Sequence, residues 1–148
     1  MPGTCLVSSR SALIDALAAE DDLKDAEVTF QFKAGSSKRE RIFTTHARAT
    51  HTPAALKAGR NFRNEVGRFD LVILVERVGK SAESASDRAA DLGLVVEEFI
   101  ADHKNNELSV TGMQTLQVEG DVSLTEMFGD SGNLAELVIP VKFTARLQ

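Results

Sequence analysis

The chain has 148 residues, of which 43% are hydrophobic and 26% are charged, and its formal net charge is −5. This balance is typical of one folded domain and excludes a chain dominated by disorder. No apolar stretch approaches the ~20 residues of a membrane-spanning helix, and the N-terminus lacks the pattern of a signal peptide. The single cysteine, Cys5, excludes an internal disulfide. We therefore expect a soluble protein of a reducing compartment.

The N-terminal third predicts one helix followed by a hairpin. Apolar residues at helical spacing indicate the helix, and Ser9 or Ser11 would cap its start. Apolar and polar residues alternate over residues 28–33, which predicts a strand with one buried face. A second strand is expected over residues 39–49, and the turn residues between the two predict an antiparallel hairpin.

Residues 50–67 break this regularity. Pro53, Gly59 and Gly67 interrupt the segment, and few large apolar residues occur in it. Long loops without regular structure are uncommon in compact domains and tend to be functional. We expect a single domain over residues 1–148, with an extended basic arm or loop at about 34–67.

The strongest pattern in the chain follows this segment. Residues 68–78 are apolar on both alternating faces, which predicts a central strand that is covered on both sides. One cover would come from the chain's own helices, and the second could come from another subunit. Residues 81–104 then show a helical apolar stripe, with Ser84 and Asp87 as a candidate cap pair.

Two further strands are predicted near the C-terminus. The first covers residues 116–124, with a bend or bulge at Gly120, and the second covers residues 137–147. Pro140 cannot donate a ladder hydrogen bond, which favours an edge position or a bulge there. The resulting fold class is α+β, with a four- to five-stranded, mostly antiparallel sheet and two helices on one face. The order is helix, strand, strand, long loop, strand, helix, strand, strand.

Charge is distributed unevenly along the chain. Residues 33–68 contain nine basic and two acidic residues, a charge of +7, whereas the remainder carries −12. Such an arm could neutralise nucleic-acid phosphates, or it could contact the acidic body of an identical neighbour in a closed ring. We favour the second interpretation, because one chain supplies both surfaces. The candidate subunit or tube contacts are Arg39, Arg41, Arg48, Lys57, Arg60 and Arg63.

Signatures of catalysis are largely missing from the sequence. It has no glycine-rich phosphate loop, no His-Glu-x-x-His motif and no Gly-x-Ser-x-Gly motif. Cys5, His46, His51 and His103 do not form a recognisable nucleophile–base or chelating pattern. We therefore predict no enzyme, catalytic residue, metal or cofactor. A small hydrolase that uses Glu119 and Asp121 as acid and base is a remaining alternative.

Two passages of the sequence resemble one known family. The first is RFDLVILVERVGKSAESA at residues 68–85, and the second is the ending GDVSLTEMF through LVIPVKFTARL at residues 120–147. With the length and element order, they resemble the tail terminator, or tail completion, proteins of long-tailed, non-contractile bacteriophages. Related head–tail joining proteins and tail tube proteins share much of this pattern.

The resemblance implies a structural virion protein without catalytic or cofactor residues. Such proteins form a ring, usually a hexamer, that caps the tail tube at the length set by the tape measure protein and then joins the head connector. The implied partners are sister copies, the major tail tube protein, the head–tail connector and the end of the tape measure protein, with no membrane. DNA would pass through the channel without specific binding, and Glu119 and Asp121 are candidate channel-lining residues. The implied location is the head-proximal end of the tail, after assembly in the host cytoplasm.

Several alternatives remain open at this point. The chain could instead be a head–tail connector or a tail tube ring protein. It could also be a nucleic-acid-binding module that uses the basic arm.

Overall fold

The computed structural model describes residues 3–35, 38–57, 60–129 and 132–147, and the side chains of these residues except 54–57, 60 and 61. It confirms the α+β class. Two helices are present in these ranges, α1 (Leu6–Ala18) and α2 (Ala82–Asp102), together with a short 3-10 helix at Asp21–Leu23. The strands are β1 (Glu27–Val28), β2 (Glu40–Lys57), β3 (Arg60–Arg77), β4 (Met113–Val118), β5 (Ser123–Gly129) and β6 (Gly132–Leu147).

All six described strands belong to one sheet, whereas the sequence predicted four or five strands. The order across the sheet is β1-β2-β3-β6-β4, and β5 pairs with the same edge of β6 as β4 does. The pairing is antiparallel except between β1 and β2. β3 is the central strand, as its two apolar faces predicted.

The main core lies between the helices and one face of the sheet. Odd-numbered residues of β3 and β6, such as Ile73 and Ile139, contribute to it, and Leu13 of α1 and Leu92 of α2 lie opposite. Most of the predicted apolar stripe of α2 is buried, and Gly93 is buried with it, whereas Val95 of the stripe is half-buried. The buried stripe residues are Ala85, Ala89, Leu92, Val96, Phe99 and Ile100. The second face of the sheet is not covered by any described helix, and its apolar residue Val72 is shielded by neighbouring side chains.

The predicted helix caps were wrong in both cases. α1 begins before Ser9, which is buried and whose hydroxyl donates to the carbonyl of Cys5; Thr4 supplies the first acceptor, at 3.1 Å from the amide nitrogen of Leu6. At α2, the cap is Ser81, whose hydroxyl accepts from the amide of Ser84 at 3.2 Å. Each cap lies at the position where the backbone becomes helical, rather than at the next available serine.

The predicted hairpin of residues 28–33 and 39–49 is wrong. β1 has only two residues and pairs with β2 in the parallel direction, with Val28 beside Ile42. The alternating phenylalanines beyond it serve other contacts: the Arg10 guanidinium lies 4.0 Å from the Phe30 ring centroid, and Phe32 meets Phe43 edge to face. The alternation of phenylalanine with polar residues therefore reflects these side-chain contacts and not the two faces of a strand.

The segment predicted as a long loop, residues 50–67, contains regular structure. β2 and β3 pair antiparallel from Glu40 opposite Val75 to Lys57 opposite Arg60, with register shifts after Thr45 and after Pro53. The segment lacks an apolar alternation because its helix-side face carries Glu65 and Gly67 rather than large apolar residues. Pairing with β6 on the other edge, rather than local hydrophobicity, specifies this strand.

The predicted strand over residues 116–124 is divided into β4 and β5. Pro140 of the neighbouring β6 lies opposite the interruption, and its carbonyl accepts from the amide of Glu119 at 3.1 Å. Because a proline lacks an amide hydrogen, β6 cannot continue the ladder at this residue. Gly120 has a φ of +125°, and an added Cβ would lie 3.0 Å from Pro140 Cγ. Pro140 therefore lies in an interior strand, at the point where the neighbour of β6 changes from β4 to β5.

Candidate assembly surfaces

The first candidate surface is the outer edge of β5. This strand pairs only with β6 in the described part of the chain, and all seven of its residues are exposed. The exposed fractions of Leu124, Met127 and Phe128 are 46%, 44% and 84%. α2 reaches this strand at one point, where the Ser86 hydroxyl donates to the Glu126 carboxylate at 2.6 Å, but it leaves these three side chains exposed.

The opposite side of the sheet has a second unpaired edge. β1 covers β2 only at residues 41–42, and the next chain segment adds a hydrogen bond from the Thr44 amide to the Phe30 carbonyl at 3.2 Å. No described strand pairs with this edge of β2 from residue 45 to 57. The sheet therefore ends in open hydrogen-bonding edges on both sides.

The paired ends of β2 and β3 extend beyond the rest of the sheet. β6 reaches only to Leu147, which lies opposite Arg63. Residues 54–57 and 60–62 have no third strand beside them among the described residues. We call β2 and β3 between residues 48 and 68 the hairpin arm. Only its outer end, residues 54–57 and 60–62, is two-stranded in the described part of the chain, because β6 pairs with residues 63–68.

The predicted basic contact residues are spread along the whole of this strand pair. Arg39 and Arg41 lie at its helix-proximal start, where Arg39 approaches Glu76 at 3.5 Å and the Arg41 guanidinium lies 5.5 Å from the Phe32 ring centroid. A strand of 18 residues spans roughly 60 Å at ~3.3 Å per residue. These two residues therefore belong to a different surface from the arm.

The other four basic residues lie on the hairpin arm. Arg48 is exposed, and Arg63 donates to the carbonyl of Gly3 at 2.7 Å. Lys57 and Arg60 are paired through their backbones, but their side chains lie outside the described set. The structure thus brings four of the six predicted residues onto one element.

A buried carboxylate that no sequence pattern singled out joins the arm to the N-terminus. Glu65 is fully buried and accepts from the Thr4 hydroxyl at 2.6 Å and from the Cys5 amide at 2.6 Å. His51, its cross-strand partner, lies 2.5 Å away. Burial raises the pKa of Glu65, but these hydrogen bonds and the His51 charge together lower it below its usual value. We call Glu65, His51, Thr4 and Cys5 the arm latch.

Cys5 contributes its backbone to this latch and not a reactive thiol. The side chain is fully buried, and Sγ donates to the carbonyl of Thr111 at 3.4 Å. Burial, followed by the negative charge of Glu65, raises the pKa of the Cys5 thiol. A thiol with a raised pKa is a poor nucleophile, so this arrangement is a structural link.

A second charge cluster lies at the start of α2. Glu40 accepts two hydrogen bonds from Arg88, at 2.6 and 3.0 Å, and approaches Arg77 at 3.5 Å. These three residues line a cleft of about 560 Å³ together with Arg39 and Glu76. Because the charges in this cleft largely pair with one another, we interpret the cluster as a structural link that holds β2, β3 and α2 together.

The two predicted channel-lining residues do not share a strand face. Glu119 and Asp121 lie in the connection between β4 and β5. Glu119 approaches Arg68 at 3.0 Å and Lys142 at 3.3 Å, and these two partners, Arg68 first, hold its pKa below the usual value. Asp121 is exposed. The strand predicted over both residues is interrupted here, so they do not form one acidic strand face, and their role as channel-lining residues stays a prediction.

Neither helix in the described part of the chain is both long and apolar enough to cross a membrane. Comparison with known proteins finds no protein-family description and no curated protein that matches this chain.

Proposed function

We propose that this protein is a structural virion component, a ring that caps the tail tube of a long-tailed, non-contractile bacteriophage. Copies of the chain would close into a hexamer at the head-proximal end of the tail, after assembly in the host cytoplasm. The ring would end tube polymerisation at the length set by the tape measure protein and present a surface to the head–tail connector. The proposal includes no catalytic step and no cofactor. The observation that carries it is the pair of open edges on opposite sides of the sheet.

Open edges favour assembly because they expose unpaired backbone donors and acceptors. Natural monomers usually block such edges with charged residues, proline or a covering element. The β2 edge contains Arg48 and Pro53, whereas β5 contains no proline and only one charged residue, Glu126. Here β5 and the outer part of β2 are different edges, so contact between them would be heterologous, with the same operation repeated from copy to copy. Repeated heterologous contacts generate a ring when the rotation closes, and pairing of strand edges is a known mode of association.

The side chains of β5 support the same conclusion. Leu124, Met127 and Phe128 are all large and exposed. Clusters of exposed apolar side chains on soluble proteins often mark interaction sites, and burying apolar area is favourable by roughly 25 cal/mol per Å². A neighbouring copy seated on β5 would provide that burial.

Charge provides a second complementary pair of surfaces. The outer face of α2 carries exposed acidic residues, and the hairpin arm carries the basic residues Lys57, Arg60 and Arg63 at or next to its outer end. A two-stranded projection is marginally stable alone, so contact with a neighbour would stabilise the arm. The acidic residues on this face of α2 are Asp87, Asp91, Glu98 and Asp102.

The ring is tested first by mass in solution. We expect light scattering and native mass spectrometry to detect a closed oligomer near six copies, alone or with tube protein. The double variant Leu124→Lys, Phe128→Lys should be monomeric yet folded, because both side chains are already exposed and lysine disfavours edge pairing. The control is Val7→Lys, which changes an exposed valine of α1 that belongs to neither proposed contact surface. A wild-type chain that stays monomeric at high concentration with tube protein, or equal assembly by the double variant, would contradict the proposal.

The position of the ring in the virion requires a second measurement. Negative-stain images of tails assembled without this protein should contain overlong tubes if it is the terminator. Tails of normal length that fail to join heads would instead support the head–tail connector. Tubes formed by the chain alone would support a tail tube ring protein.

A further inference from the structure

Three basic residues form one row across the uncovered face of the sheet. Arg48 of β2 is in register with Arg68 of β3, and Arg68 is in register with Lys142 of β6. Directly paired residues on adjacent strands project from the same face, with neighbouring strands ~4.8 Å apart. The row, which we call the basic row, therefore places three positive charges within about 10 Å.

Such a row is unfavourable for the isolated protein. Like charges directly opposite on neighbouring strands are destabilising. Glu119 compensates two of them, since its carboxylate contacts both Arg68 and Lys142. Arg48 has no ion-pair partner among the described residues and is exposed. A cationic row that is only partly neutralised by its own chain is the surface expected for an anionic ligand.

The rows next to it supply further hydrogen-bond donors. Thr50 and Thr144 occupy the adjacent row, on either side of Val66. The row beyond contains Asn64 and Arg146 in register with each other. This face also carries a groove of about 400 Å³ between Arg48 and Arg68, lined by threonine residues. Arginine, threonine and asparagine side chains are the usual donors to phosphate oxygens.

We propose that this face binds the phosphate backbone of duplex DNA without reading its sequence. Arg48, Arg68 and Lys142 would contact phosphates, and Glu119 would act as an internal counter-ion that the phosphates displace. The site differs from the predicted basic arm because it extends across β2, β3 and β6 rather than along one hairpin. It does not depend on the ring, although a ring that turns this face inward would place it along the channel.

A phosphate backbone fits this face better than the acidic helices of another copy. The basic row, together with Arg146, distributes its charges over three adjacent strands. Threonine hydroxyls and the Asn64 amide, both neutral donors, accompany the charges. The basic row and the threonine row contain no aromatic side chain, and the nearby Phe62 ring is already stacked with the Arg146 guanidinium, at 5.0 Å from its centroid. Contact with the backbone of duplex DNA is therefore favoured over base stacking with single strands.

Fluorescence anisotropy with a labelled 20-base-pair duplex of arbitrary sequence tests the proposal. We expect binding at ~50 mM salt, with a log–log salt slope of about −3 per copy for three neutralised phosphates. Arg48→Ala should weaken binding roughly fivefold and reduce the slope by about one. No binding at ~50 mM salt, or a dependence on duplex sequence, would overturn the proposal.

The decisive variant is Glu119→Gln, because it removes the internal counter-ion. We expect it to bind the duplex roughly three- to tenfold more tightly, since Arg68 and Lys142 become available. Asp121→Asn is the matched control: it removes the same charge from the same connection, where Asp121 is exposed. An equal gain in both variants would attribute the effect to net charge and overturn the proposal. If self-association of the wild-type chain at higher concentration displaces the duplex, the face would instead be assigned to contact with a second copy.

Discussion

Replacing Gly67 by alanine is expected to lower the free energy of unfolding by about 3 kcal/mol. Gly67 lies opposite Phe143 in the pairing of β3 with β6, and the phenyl ring of Phe143 lies directly over it. A methyl group there would overlap ring atoms, so a fully buried aromatic side chain would have to move. Urea denaturation followed by circular dichroism measures the loss, and the melting temperature should fall by roughly 6–12 °C.

Two comparisons isolate the cause of this loss. Gly129→Ala should change stability by no more than about 0.5 kcal/mol, because an added Cβ at Gly129 meets nothing within 4 Å. In a Phe143→Ala background, the alanine at position 67 should cost little, since the ring is gone. An equal cost in both backgrounds would mean that the glycine is needed for its backbone conformation and not for space beneath Phe143.

The elements predicted well are those whose burial is decided locally. Residues 68–78 and 81–104 have strong apolar periodicity, and the structure places β3 and α2 there. Both elements contact the main core, so the side-chain pattern records their surroundings directly. The fold class follows from them and from the apolar alternation of β6.

The hairpin arm could not be predicted in the same way. Its helix-side face carries Gly67, which lies beneath the ring of Phe143, and Glu65, whose carboxylate accepts hydrogen bonds from the N-terminal segment. Both look like loop residues in a sequence, because their partners lie in other parts of the chain: Phe143, and Thr4 with Cys5. An isolated glycine in a strand often marks a close approach of this kind, which was the one available signal.

The candidate surfaces were harder still to predict, because they are formed by paired strands that are far apart in the sequence. Arg48, Arg68 and Lys142 are widely separated in sequence, and only the register of three strands brings them into one row. The charge count of residues 33–68 located two of these residues but placed them on a flexible arm. Lys142 was not singled out in the sequence, and Glu119 was singled out only as a channel-lining or acid–base candidate and not as a counter-ion.

Replacing Glu65 by alanine is expected to destabilise the protein by about 3–4 kcal/mol at neutral pH, since it breaks a buried charged pair. The change would leave the Cys5 amide and the Thr4 hydroxyl without their acceptor, and the two lie 2.6 Å from the carboxylate in the native latch. Hydrogen exchange should show faster exchange of the Cys5 amide and of the arm. An exposed control, Glu98→Ala, should cost no more than about 0.5 kcal/mol.

Glu65→Gln separates the charge of the latch from its shape. Glutamine keeps one oxygen for the Cys5 amide, and its NH2 group can donate to the Thr4 hydroxyl or to a neutral His51, so we expect a loss of only about 1 kcal/mol. The pKa of Glu65 is lower in the folded protein than in the unfolded chain, where it is ~4.3. Its stabilising contribution is therefore complete above that value and disappears as the pH falls through the folded-state pKa.

The glutamine variant lacks this titration, so the difference in unfolding free energy between wild type and variant should shrink steadily below about pH 4.3. Denaturation curves recorded at intervals between neutral and acidic pH measure that difference. A difference that stays constant through the acidic range would mean that the carboxylate is not selectively stabilised by Thr4, Cys5 and His51. In that case the latch would hold the arm by packing alone, and the alanine variant would lose stability through its cavity instead.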